Sequence, residues 1–81
     1  MSLSYKIVEE KQETLPDPIE AIKFRMEQYE HNLTKASNIT GISKSHLSEV
    51  LNRKRKLNLN QIRKLSLYGV PLKVLIQEYQ L

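Results

Sequence analysis

A glycine turn between two short amphipathic segments constrains the fold of this chain more than any other feature. The sequence from residue 38 to residue 52 is NITGISKSHLSEVLN, in which Gly41 supplies the left-handed conformation that commonly ends a helix. Ser43 follows as an N-cap residue for the next helix. That helix carries one apolar stripe at helical spacing, formed by Leu47, Val50 and Leu51. The pattern predicts two short helices joined by a tight turn, a helix-turn-helix arrangement.

Two helices are predicted before this turn. Asp17 caps the first, and Pro18 fits its first turn. Its core-facing residues are Ile19, Ile22, Met26 and Tyr29. Phe24 lies on a flank, where we expect core packing rather than contact with a second subunit. Asn32, or alternatively Thr34, caps the second helix. Its inward positions are Leu33, Ala36 and either Ile39 or Thr40.

Two more helices are predicted after the helix-turn-helix. Asn58 caps the first of them with Gln61 as reciprocal partner, and Gly69 ends it. Its core positions are Leu59, Ile62, Leu65 and Tyr68. Val70 and Pro71 begin a last short helix. The apolar positions of this helix are Leu72, Leu75, Ile76 and Tyr79.

The length of the chain fits one small domain. Its 81 residues, 40% of them hydrophobic, bury a limited core. Because strand signals are nearly absent, we predict an all-α, five-helix domain over residues 17–81. Residues 1–16 form a short N-terminal arm whose first three residues are a candidate cloning remnant. Tyr5, Ile7 and Val8 within this arm fit a short strand or a segment lying along a partner.

Composition excludes several classes of protein. The absence of cysteine excludes a disulfide framework and a cysteine–zinc site. No apolar run approaches the roughly 18 residues of a membrane span. The first residues lack the apolar core of a signal peptide, so we expect a cytoplasmic protein.

Positive charge is concentrated in the second part of the chain. Residues 1–30 carry four basic and seven acidic side chains, whereas residues 31–81 carry nine basic and two acidic ones. The helix-turn-helix pattern therefore coincides with the positive part of the chain. A basic surface beside such a motif favours binding to the phosphates of nucleic acid.

The helix after the turn has a polar face suited to the major groove. Candidate base-reading residues are Lys44, Ser45, Ser48 and Glu49. Candidate contacts to the DNA backbone are Asn32, Thr34, Lys35, Ser43, Asn52, Arg53, Lys54, Arg55 and Lys56. The role of Glu49 has two interpretations, acceptance of a hydrogen bond from a cytosine amino group or a salt bridge to Arg53. Sequence-specific binding by so short a helix predicts a homodimer, with apolar contacts from residues 74–79 and with Phe24 as a further candidate.

Catalytic chemistry has little support in the sequence. His31 and His46 are the two histidines, and neither stands in a metal-ligand spacing. We expect His31 to be solvated and His46 to pack near the turn or donate to a phosphate. Two glycines, at positions 41 and 69, are too few for a glycine-rich phosphate loop. We therefore expect a binding protein without cofactor or metal rather than an enzyme.

Three blocks of sequence resemble a known family. The order of elements around GISKSHLS, residues 41–48, is similar to the Cro/C1-type (XRE) helix-turn-helix fold of phage repressors. The blocks DPIEAIKFRMEQ, residues 17–28, and SEVLNRKRKL, residues 48–57, resemble HigA-type antitoxins of type II toxin–antitoxin modules. The resemblance implies a dimeric repressor of its own operon that also binds and neutralises an RNA-cleaving toxin.

The resemblance has two departures. Ala36, Ser37 and Thr40 stand where the fold usually has larger apolar residues or alanine, so looser packing is expected there. Many such antitoxins also carry a further N-terminal helical segment, which is a candidate for the toxin contacts. Two alternatives to the antitoxin therefore stay open. One is a stand-alone phage-like repressor, and the other is a protein-interaction module that does not bind DNA.

Overall fold

The computed structural model describes residues 15–77, which form five α-helices. These are α1 (Pro18–Gln28), α2 (Leu33–Thr40), α3 (Lys44–Leu51), α4 (Leu59–Tyr68) and α5 (Leu72–Leu75). Residues 15–77 contain no strand, so the predicted all-α class is confirmed. None of the helices in this range has the length and apolar character needed to cross a membrane. The predictions for Tyr5, Ile7, Val8 and Tyr79 fall outside the described residues.

Side-chain caps begin four of the helices, as predicted. Asp17 accepts hydrogen bonds from the amides of residues 19 and 20, at 3.0 and 3.2 Å. Asn32 accepts from the amide of Lys35 at 2.8 Å, so the alternative cap at Thr34 is wrong. Ser43 begins α3 in the same way. The reciprocal capping box of Asn58 and Gln61 is also present at α4. Local sequence therefore determines where these four helices begin.

Two helices are followed by a non-glycine residue in the left-handed conformation that glycine commonly adopts at a helix terminus. Gly41 has a φ of 80° after α2, as predicted. After α1 and α3 the left-handed position is taken by Glu30, with a φ of 59°, and by Arg53, with a φ of 61°. The amide of Lys54 donates to the carbonyl of Glu49 at 2.9 Å and completes the turn after α3. Glu30 and Arg53 thus adopt a left-handed backbone conformation, which is energetically unfavourable for residues other than glycine.

The core is built from one apolar stripe on each helix. Its main cluster contains Ile22, Ala36, Ile42, Leu47, Leu65, Tyr68, Val70, Val74 and Leu75. A second cluster pairs Ile19 of α1 with Val50 of α3. Because Leu47 and Val50 are both 1% exposed, the predicted buried face of α3 is confirmed.

Four apolar residues that we predicted in the core are exposed, one of them, Ile39, predicted only as an alternative. Tyr29 is 45% exposed, although its hydroxyl is bonded to α4. Phe24 is 58% exposed because the buried face of α1 runs through Ile19 and Ile22 instead. Leu59 is 81% exposed, since the buried face of α4 is formed by residues 61, 65 and 68. Ile39 is exposed, and Thr40 takes the alternative inward position, where its hydroxyl donates to the carbonyl of Ala36 at 2.8 Å.

An aromatic cluster joins the loop before α2 to the end of α4. The Tyr29 hydroxyl donates to the carbonyl of Tyr68 at 3.1 Å. The Tyr68 hydroxyl and Nδ1 of His31 share a hydrogen bond of 2.7 Å. His31 is therefore half-buried and bonded, and the prediction that it is solvated is wrong. Burial raises the pKa of Tyr68, and the negative charge of a neighbouring Tyr29 phenolate would raise it further.

Candidate nucleic-acid interface

The turn between α2 and α3 is fixed by side chains on both sides of it. The hydroxyl of Ser37 donates to the carbonyl of Ile42 at 2.6 Å. The hydroxyl of Thr40 accepts from the amide of Ile42 at 3.2 Å. From α4, Nζ of Lys64 donates to the carbonyl of Gly41 at 3.1 Å. The small polar residues of α2 thus hold the turn by hydrogen bonds.

The α3 helix presents a polar face opposite its buried stripe. Lys44 and Ser45, in its first turn, are exposed. Ser48 and Glu49, one turn later, are half-buried. Asn52 donates from Nδ2 to the carbonyl of Ser48 at 2.8 Å, so its side chain folds back onto the helix. The four predicted base-reading residues therefore share one face, with the first turn the most accessible part.

Glu49 forms its ion pair with a different partner from the one predicted. Its Oε1 lies 2.8 Å from Nε of Arg55, and the arginine donates a hydrogen bond across this distance. Arg53, the predicted partner, pairs with Asp17 at the start of α1. The salt-bridge interpretation of Glu49 is thus supported with Arg55 in place of Arg53. Because both side chains of this pair are about half exposed, at 44% and 51%, solvent screens it.

The cationic side chains of the loop that follows α3 differ in exposure. Arg53 is half-buried, whereas Lys54, Arg55 and Lys56 are exposed. The guanidinium groups of Arg53 and Arg55 are each held by an acidic residue. Arg53 is the more strongly fixed of the two arginines, since it donates to both carboxylate oxygens of Asp17, at 2.7 and 3.3 Å. Lys54 and Arg55 therefore suit phosphate contact better than Arg53 does.

Apart from Asn52 at the end of α3, the predicted backbone contacts outside this loop lie at two helix starts. Asn32, Thr34 and Lys35 are exposed at the beginning of α2. Ser43 is exposed at the beginning of α3, where its hydroxyl accepts from the amide of His46 at 3.2 Å. Helix starts favour nearby anions because their amides point outward. The assignment of these residues to phosphate contact stays a prediction.

The contact between His46 and Gln61 was not predicted from the sequence. Nε2 of Gln61 lies 2.7 Å from Nε2 of His46 and joins α4 to the first turn of α3. The capping role of Gln61 is visible in the local sequence, but this second contact spans fifteen residues. The core shared by Leu47 of α3 and Leu65 of α4 brings the two side chains within reach of each other.

An apolar groove lies between α1 and α5. It has a volume of about 640 Å³. Its apolar lining consists of Leu15, Pro16, Ala21, Phe24, Val70, Pro71 and Val74. The side chains of Leu72, at the start of α5, and of Ile76, directly after it, are also exposed, at 53% and 62%. Val74 is 3% exposed and packs into the core, so it differs from the prediction that it supplies a dimer contact.

Comparisons of the chain with protein families, with curated proteins and with solved structures give no match. Residues 15–77 contain no group of three or more histidine, aspartate or glutamate side chains arranged to hold a metal ion.

Proposed function

We propose that this chain is a sequence-specific DNA-binding repressor with a Cro/C1-type helix-turn-helix fold. One observation carries the proposal: α3 has an exposed polar first turn, a buried opposite face and a cationic loop at its end. In this proposal α3 is the recognition helix. Lys44 and Ser45 meet base edges in the major groove, while Lys54 and Arg55 contact phosphates. The protein acts in the cytoplasm as a binding protein and not as an enzyme.

The repressor acts as a homodimer in this proposal. One short helix reads too few base pairs for useful specificity, whereas two copies read half-sites about one helical turn apart. Phe24 is exposed and lines the groove between α1 and α5, and Leu72 and Ile76 are also exposed. These apolar side chains support a contact between two copies.

The antitoxin role rests on the resemblance of residues 17–28 and 48–57 to HigA-type antitoxins. We propose that the chain represses its own operon and binds an RNA-cleaving toxin encoded beside it. Co-expression tests this role, because an antitoxin restores growth to cells that produce the neighbouring toxin. Operator binding without such rescue would favour the stand-alone repressor.

Footprinting on the DNA upstream of its own gene tests the proposed DNA binding. We expect protection of a palindromic site and a binding constant that falls steeply with salt. The matched control is a scrambled duplex of the same length and composition. Equal affinity for both duplexes would contradict sequence-specific binding, and no salt-dependent binding to either would favour the protein-interaction module.

A further inference from the structure

Gln61 makes two hydrogen bonds that together fix the orientation of its amide group. Its Oε1 accepts from the backbone amide of Asn58 at 3.0 Å. Its Nε2 lies 2.7 Å from Nε2 of His46. The reversed orientation would place the Gln61 amino group against the amide hydrogen of Asn58, two donors facing each other. The oxygen therefore belongs to the α4 cap, and the nitrogen faces His46.

This orientation determines which nitrogen of His46 carries the proton. An amide nitrogen only donates hydrogen bonds, so Nε2 of His46 must accept. The imidazole is then neutral with its hydrogen on Nδ1. Gln61 is 7% exposed, and a buried amide needs its partners because an unsatisfied polar group is costly.

The contact lies where it sets the direction of the first turn of α3. Lys44 and Ser45, the most accessible residues of the polar face, directly precede His46. The backbone amide of His46 is bonded to the Ser43 cap, and its side chain is bonded to α4. The first turn is therefore tied to the rest of the domain through His46.

We propose that His46 and Gln61 are positioning residues for operator recognition, which hold the first turn of α3 at the angle needed for base contact. The inference rests on the proposed function, since it concerns the same helix. Neither side chain needs to touch a base. Loss of the bond leaves α3 packed through Leu47 and Val50 but lets its first turn move, and small displacements weaken directional contacts.

The test measures affinity for operator and scrambled duplexes and reports their ratio. His46→Ala removes the bond and leaves the Asn58 cap intact. We expect operator affinity to fall about threefold to tenfold, the range of one hydrogen bond, with affinity for the scrambled duplex nearly unchanged. His46→Gln offers an amide oxygen to Gln61 and should restore most of the ratio. Ile62→Val, a mild core change on α4, is the control for stability and should leave the ratio unchanged.

The results that overturn the inference can be distinguished from failure of the proposed function. A wild-type ratio of one contradicts the proposed function itself, and the inference falls with it. A normal wild-type ratio that His46→Ala leaves unchanged overturns only the positioning role. If His46→Ala does not fold, His46→Gln and nitrogen-15 NMR of the wild-type imidazole carry the test. A hydrogen on Nε2 of neutral His46 also overturns the positioning role. So does a wild-type ratio of operator to scrambled affinity that is normal and that His46→Gln lowers as far as Gln61→Ala does.

Discussion

Arg53 and Asp17 form a bidentate ion pair that connects the end of α3 to the start of α1. Nη2 of Arg53 lies 2.7 Å from Oδ2 of Asp17, and Nη1 lies 3.3 Å from Oδ1. The hydrogen bond from Arg53 lowers the pKa of Asp17 from its ordinary value of 3.8, and the amides of residues 19 and 20 act in the same direction against partial burial. Asp17 thus serves as a helix cap and as a contact between helices.

The pair predicts a specific acid dependence of stability. The lowered pKa of Asp17 means that its contribution is complete above the ordinary value of 3.8 and is lost as pH falls through the lower folded value. Asp17→Asn keeps a capping side chain but removes the charge. We expect it to cost less than about 1 kcal/mol near pH 7, because solvent screens the pair, and to lose less stability on acidification. Thermal melts between about pH 7 and pH 2 measure both effects.

Glu20→Gln is the matched control for this experiment. Its carboxylate lies 3.8 Å from Arg53, and its side chain is 65% exposed. Glu20→Gln should leave the acid dependence of stability close to that of the wild type. An equal change in both variants would show that general acidic charge, rather than the bond to Arg53, causes the effect.

The buried face of α3 predicts a large loss of stability on truncation. Leu47→Ala should lower the free energy of unfolding by about 2–4 kcal/mol, because the side chain is buried and leaves a cavity. Val50→Ala should also be clearly destabilising. Ser45→Ala, on the exposed face, should change the free energy of unfolding by less than about 0.5 kcal/mol. Denaturant unfolding measures all three, and equal values for Leu47→Ala and Ser45→Ala would contradict the buried face.

Phosphate and base contacts should respond differently to substitution. Lys54→Ala should weaken binding to operator and scrambled duplexes alike and lower the salt slope by about one unit. Lys44→Ala should cost about 1–3 kcal/mol on the operator and much less on the scrambled duplex. Titrations at two salt concentrations separate these effects. Equal losses on both duplexes for Lys44→Ala would show that this residue does not read bases.

Glu49→Ala distinguishes two roles of the acidic residue on α3. If Glu49 accepts a hydrogen bond from cytosine, its removal relaxes discrimination at one base pair. If it only pairs with Arg55, discrimination stays intact, and affinity for every duplex rises because a negative charge that the phosphates repel is removed. The pair at 2.8 Å favours the second result. Competition with single-base operator variants measures the discrimination.

The exposed apolar surface predicts self-association. Phe24→Asp should shift the protein toward monomer in sedimentation, since the substitution puts charge beside the apolar groove. Leu67→Asp is the control, because Leu67 is 85% exposed and does not line that groove. A strict monomer in the wild type, both free and with DNA, would contradict the proposed dimer.

Local features of the fold were predictable from the sequence. Caps at Asp17, Asn32, Ser43 and Asn58 depend on residues at most four positions away. The end of α2 at Gly41 also has a local cause, because glycine adopts the left-handed conformation at little energetic cost. Helix starts and the turn between α2 and α3 could therefore be placed before the tertiary structure was known.

Contacts between distant residues were not predictable in the same way. The sequence suggests that Arg53 contacts phosphate or Glu49, but the packing of α1 against α3 brings Asp17 to it. Leu59 fits a helical stripe as well as Gln61 does, yet the angle of α4 buries the glutamine. Periodicity identifies amphipathic helices, while the tertiary arrangement decides which of two adjacent stripes is covered.

The left-handed conformation of Arg53 has a consequence for alanine scanning of the cationic loop. Alanine at this position removes the bond to Asp17 and still has to adopt a φ of 61°. Glycine would relieve the backbone cost while losing the same bond. Weaker DNA binding by an Arg53 variant would therefore reflect altered folding rather than only a lost phosphate contact. The phosphate contribution of the loop is best measured at Lys54.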